Sequence, residues 1–69
     1  MKFNYAKLLG RIREFGLTQE SLAKKIGRSL STFNAKLKNN GCFSADEIYR
    51  ICKVLEIAKD EIGDYFFTV

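Results

Sequence analysis

Apolar positions along this chain recur at intervals of three and four rather than two, and no proline interrupts them, the pattern of amphipathic helices. Tyr5, Leu8, Leu9 and Ile12 form a first stripe. Asn4 stands as its cap, Phe3 and Leu8 hold the two positions of a hydrophobic staple, and Gly16 is placed to end the helix in left-handed conformation. Thr18 is set to cap a second helix stapled by Leu17 and Leu22, with Leu22, Ala23 and Ile26 facing inward and Gly27 closing it. Ser29 begins a third, whose interior contacts are Phe33 and Leu37, one turn apart. Asn39-Asn40-Gly41 closes that helix with residues tolerant of positive φ. In Phe43-Ser44-Ala45-Asp46-Glu47-Ile48, Ser44 and Glu47 make a capping box inside a Phe43/Ile48 staple, and Ile48, Ile51, Cys52 and Leu55 continue as one face of a fourth helix. Residues 59–66 predict a short fifth helix, weakened at Gly63 by roughly 1 kcal/mol relative to alanine. The expectation is all-α: one domain over residues 1–69, a compact bundle of four or five short helices.

Composition agrees with a folded chain. It is 46% hydrophobic and 13% aromatic, without low-complexity runs, and its 69 residues lie near the lower limit for a self-sufficient core. No stretch approaches the roughly 20 apolar residues that span a bilayer, and the N-terminus returns to basic residues before a signal-peptide segment forms. The expectation is a cytoplasmic protein with no membrane partner. Cys42 and Cys52 without any histidine fall short of the ligands a structural zinc site needs, so no metal is expected, the thiols are expected reduced, and Cys52 reads as a small core residue. Without histidine, a phosphate-cradling glycine loop or a carboxylate pair on an evident cleft, the chain does not read as an enzyme and implies no cofactor. Charge is uneven along the chain. Residues 1–41 carry nine Lys/Arg against two Asp/Glu, whereas residues 42–69 carry three against six, as if one surface met a polyanion and another were kept away from it.

The second and third helices are separated by only a few residues around Gly27. So short a link favours a steep crossing, the geometry of a helix-turn-helix, with the motif at residues 18–38. Residues 17–41, LTQESLAKKIGRSLSTFNAKLKNNG, resemble the helix-turn-helix of the phage Cro/repressor type. The matching features are Leu17-Thr18-Gln19-Glu20, Leu22-Ala23, Ile26-Gly27, Ser31-Thr32-Phe33 and the closing Asn-Gly, and the resemblance extends over about residues 3–57. Two positions depart from the family pattern. Arg28 stands where an apolar or small residue is usual, and Lys36 stands where many members have an aliphatic, with the apolar residue at Leu37 instead. Both departures read as a small rotation or shift of the third helix.

The resemblance implies a lambda-repressor-like DNA-binding domain that regulates transcription, a repressor of phage or prophage type. Its third helix, residues 30–38, would enter the major groove of a double-stranded operator. Leu30, Ser31, Asn34 and Ala35 would then face the bases, with Asn34 suited to a bidentate pair with adenine and Leu30 and Ala35 to thymine methyls. Gln19, Arg28, Lys36, Lys38, Asn39 and Asn40 would hold phosphates, with Arg11 or Arg13 at the groove edge. Because such domains read paired half-sites, a homodimer is implied. The acidic, aromatic segment 58–69 offers a surface for it, through Tyr65, Phe67 and Val69 if Ile62 and Phe66 plug the base of the bundle. The alternative function is a protein-interaction module on the same fold, an antirepressor or antitoxin that grips a partner protein.

Overall fold

The computed structural model describes residues 2–69. Five α-helices follow one another, α1 (Ala6–Glu14), α2 (Gln19–Lys25), α3 (Leu30–Leu37), α4 (Ala45–Leu55) and α5 (Ile62–Phe66), with a turn of 3-10 helix at Lys59–Glu61 leading into the last. The described residues contain no strand, as the three-four periodicity requires. Helix starts lie where short polar side chains can take up free backbone N–H groups. Thr18 accepts from the amide of Ser21, Ser29 from Thr32 and Ser44 from Glu47. Asn4 accepts from the amide of Ala6, although Tyr5 is the residue that stands at the cap of α1.

One residue decides the α2–α3 corner. Gly27 has φ +75°, a conformation that L side chains rarely adopt. It lets the amides of Gly27 and Arg28 return to the carbonyls of Lys24 and Ala23, closing α2 so that α3 begins three residues later and packs against it.

The core is continuous. Leu8, Ile12, Leu22, Ala23, Ile26, Phe33, Ile51, Leu55 and Phe66 are all 2% exposed or less, and each large side chain so buried contributes about 1.5–3 kcal/mol. Phe43, expected only as half of a staple, is instead an aromatic hub. Its ring meets those of Tyr5, Phe33 and Phe66 edge-on at centroid distances of 5.5, 5.7 and 5.7 Å, tying the entry to α1, α3 and α5 together. The ends of the chain meet as well, the amide of Asn4 donating to the carbonyl of Thr68. Leu37, Ile48 and Cys52 are only partly buried against this core. Both cysteines are free thiols, and burial pushes that of Cys52 up from its ordinary pKa. No helix among the described residues is long and apolar enough to cross a membrane.

Candidate functional site

The exposed surface of α3 begins with Leu30, 38% accessible, followed by Ser31 and Thr32, both open to solvent. Asn34 and Ala35 are half-buried further along. Asn34 has no side-chain hydrogen bond among the described residues, whereas Thr32 and Ser31 lie within reach of the Ser29 hydroxyl at 2.9 and 3.4 Å. Lys38 and Asn40 are exposed and Gln19 is half-buried. The structure thus brings the four expected base-reading positions onto one helix.

The expected phosphate contacts divide. Arg28 and Lys36 do not point outward as free cations, because both are held by a buried carboxylate on α4. Glu47, 1% exposed, receives the Lys36 ammonium at 2.6 Å on each oxygen, the Arg28 Nε at 2.8 Å and the backbone amide of Ser44 at 2.8 Å. Burial alone would raise the pKa of this carboxyl. The hydrogen bonds from Lys36, Ser44 and Arg28, with the Lys36 charge, outweigh that and hold it at about 2, against an ordinary 4.5. Arg28 and Lys36, the two departures from the family pattern, thus meet Glu47 between them.

Asn39 is also committed internally. It sits in left-handed conformation at φ 67°, where its side-chain oxygen accepts from the amide of Phe3 at 2.8 Å and its nitrogen donates to the Phe3 carbonyl at 3.0 Å. It is a clamp on the N-terminal segment. Arg11, placed by expectation at a groove edge, donates to the carbonyls of Leu55 and Glu56 and so satisfies the open C-terminal end of α4. Arg50 does the same for α2 at the Ile26 carbonyl. Arg13 remains exposed.

The C-terminal segment differs from expectation at Tyr65. Ile62, Tyr65 and Phe66 stand at i, i+3 and i+4 within α5 and so share one face of it. Tyr65 is 6% exposed and Phe66 1%, with the Lys7 ammonium 4.8 Å from the Tyr65 ring centroid. Tyr65 is therefore unavailable as a dimer contact. Phe67 and Val69 are 53% and 79% exposed, Phe67 with an edge-on contact to Phe3 at 5.7 Å. No cluster of His, Cys, Asp and Glu fit to hold a metal occurs among the described residues.

A family model described as protein of unknown function (DUF739) matches residues 1–69. The chain belongs to the DUF739 family. Among solved structures, it is similar to the modulator of repression of the temperate bacteriophage TP901-1 from Lactococcus lactis, with 37% identity, a TM-score of 0.82, and coverage of 97% of this chain and 90% of that one. No curated protein sequence gave a match. The family and the structural neighbour agree with a small phage-type regulatory protein on an all-helical fold. They do not extend to membership of a Cro or repressor family, which the residues of the α2–α3 motif had implied.

Proposed function

We propose that this DUF739 protein is a phage-type regulator that modulates repression by gripping a partner protein, acting in the cytoplasm of a bacterial host without catalysis or cofactor. The observation that carries this reading is the 37% identity, over 97% of the chain, to the modulator of repression of bacteriophage TP901-1. The charge arrangement supports it. A helix that grips a phosphate backbone needs unpaired cations, and Arg28 and Lys36 are both engaged by Glu47.

The second reading is sequence-specific binding of an operator by helix 30–38, as a homodimer. The solvent-open Leu30, Ser31 and Thr32, and an Asn34 free of side-chain partners among the described residues, favour it. The test is a gel-shift titration with the repressor and operator of the same phage genome. On the first reading the purified protein displaces the repressor or alters its complex, and alone does not retard the operator at any salt concentration. Retardation of the operator by the protein alone, with a steep salt slope and loss of specificity in Asn34→Ala, overturns it in favour of the second.

A further inference from the structure

A cleft of about 450 Å³ lies along one flank of α4, at the edge of the core. Ala45, Ile48, Tyr49 and Cys52 line it from α4, and Ile57 and Ile62 form the opposite wall. On α4 these positions follow the spacing i, i+3, i+4, i+7, so the apolar face of the helix extends beyond the core through Ile48 and Cys52, which are partly buried against it, to the exposed Ala45 and Tyr49. Tyr49 lies 61% exposed. Exposed apolar patches rimmed by polar residues mark interaction sites, and here the ring of Tyr49 sits in an apolar cleft edged by lysines. The two charged residues in the lining are both lysines, Lys53 and Lys59. Lys53 holds its ammonium 5.4 Å from the Tyr49 ring centroid, and neither lysine forms an ion pair among the described residues. The nearby carboxylate of Asp46 is paired with Arg50 at 3.1 Å.

We infer that this cleft receives a two-turn amphipathic helix of a partner protein, with apolar side chains at i, i+3, i+4 and i+7 and carboxylates flanking them. The lined length of α4, Ala45 to Lys53, spans roughly 12 Å, which is about two helical turns, and an apolar trough is the usual seat for one face of such a helix. The lysines select its charge. An acidic flank meets Lys53 and Lys59, and a basic flank is repelled, an arrangement that fixes orientation and partner choice. The inference rests on the protein-binding reading and names its surface.

The test is an NMR titration of the intact chain with an amphipathic peptide of about 14 residues, leucines at the four helical positions and glutamates flanking them. The same peptide with lysine flanks serves as comparison. The expected result is amide shifts confined to Ile48, Tyr49, Cys52, Ile57 and Ile62 and their neighbours, with at least tenfold weaker binding by the lysine-flanked peptide. Lys53→Glu/Lys59→Glu should invert that preference. Lys24→Glu/Lys25→Glu, an equal change of net charge at exposed positions on α2, should leave it intact. Absence of shifts in the cleft, equal binding of both peptides, or cleft shifts that grow with protein concentration alone, as in self-association, each overturns the inference. Because the peptide reads the cleft directly, its failure is separable from that of the functional reading. A repressor bound equally by wild type and by Lys53→Glu/Lys59→Glu removes the cleft from the account and leaves partner binding in place.

Discussion

The two faces of α4 invert the usual arrangement of a surface helix. Its inner face carries Ile51 and Leu55 into the core, and beside them a carboxylate, Glu47, that is as buried as they are. Its outer face presents Tyr49, Ala45 and part of Cys52 to an open cleft. A buried charge is tolerated only when it is paired and hydrogen-bonded, and Glu47 has two cations and an amide. An exposed apolar stripe gains nothing for the fold. The contrast teaches that polarity alone does not tell structure from function here. Partner count does: the inner carboxylate is fully satisfied within the chain and the outer aromatic is not.

Removing the inner carboxylate should produce the largest effect. Glu47→Ala leaves Arg28 and Lys36 facing each other across a partly buried gap and strips the amide of Ser44 of its acceptor. Loss of one partner of a buried pair costs about 3–5 kcal/mol, and the partial exposure of Arg28 and Lys36, with side chains 36% and 20% accessible, places the expected loss near ~3 kcal/mol. Urea denaturation at neutral pH measures it. A loss below about 1 kcal/mol would mean that the inner face tolerates an empty site, and the contrast would fail.

The same interaction can be read without mutation. The folded carboxyl titrates at about 2, below its ordinary 4.5, so its contribution is fully present above the unfolded value and is lost as pH falls from there through the folded one. The depression corresponds to roughly 3 kcal/mol, which should disappear between about pH 5 and pH 2 in wild type. Glu47→Ala should show a correspondingly flatter acid limb. If both proteins lose stability in parallel, other carboxylates dominate acid unfolding and Glu47 is not the lock.

Local signals were legible in the sequence and distant ones were not. Thr18, Ser29, Ser44 and the left-handed Gly16 and Gly27 act within three or four residues of themselves, and spacing alone located them. Glu47 was legible as half of a capping box, a contact three residues long, but not as the buried acceptor of Arg28 and Lys36, 19 and 11 residues away. The clamps of Arg11, Asn39 and Arg50 span 44, 36 and 24 residues, and no periodicity records such pairings. A signal for the Glu47 lock did exist. Two unexpected cations in one motif require a countercharge, and the buried stripe of the next helix held an acid one turn from Ile51. Tyr65 was misplaced because Ile62 and Phe66, at i and i+4, read as the inward pair, although the i+3 position of α5 borders both. Ile48 and Cys52 do pack partly against the core, as their place on the stripe implied; what the sequence did not show is that Tyr49 and Ala45 extend that apolar face into an open cleft.

A smaller effect separates the two cations. Lys36→Met removes the partner that contacts both carboxylate oxygens and is the less exposed of the two, and should cost about 1–2 kcal/mol. Arg28→Met leaves Lys36 in place and should cost less, near ~1 kcal/mol. In a double-mutant cycle with Glu47→Gln, both couplings should be positive and the Lys36 coupling the larger. Loss of stability on Lys36→Met, with no change in the salt dependence of any DNA retention, would identify Lys36 as part of the fold. The reverse pattern would return it to a phosphate-contacting role.

The outer face should give the smallest change in stability. Tyr49→Ser removes an exposed ring and a solvent-accessible cation–π contact with Lys53, so thermal unfolding should shift by the equivalent of no more than about 0.5 kcal/mol. What it should remove is occupancy of the cleft, because the ring supplies apolar surface that an incoming helix would cover. A variant that keeps its stability and loses the acid-flanked peptide establishes the outer face as a surface kept for another molecule. A variant that loses more than about 1 kcal/mol would show Tyr49 to be part of the packing, and the apolar stripe would then belong to the same structural account as Ile51 and Leu55.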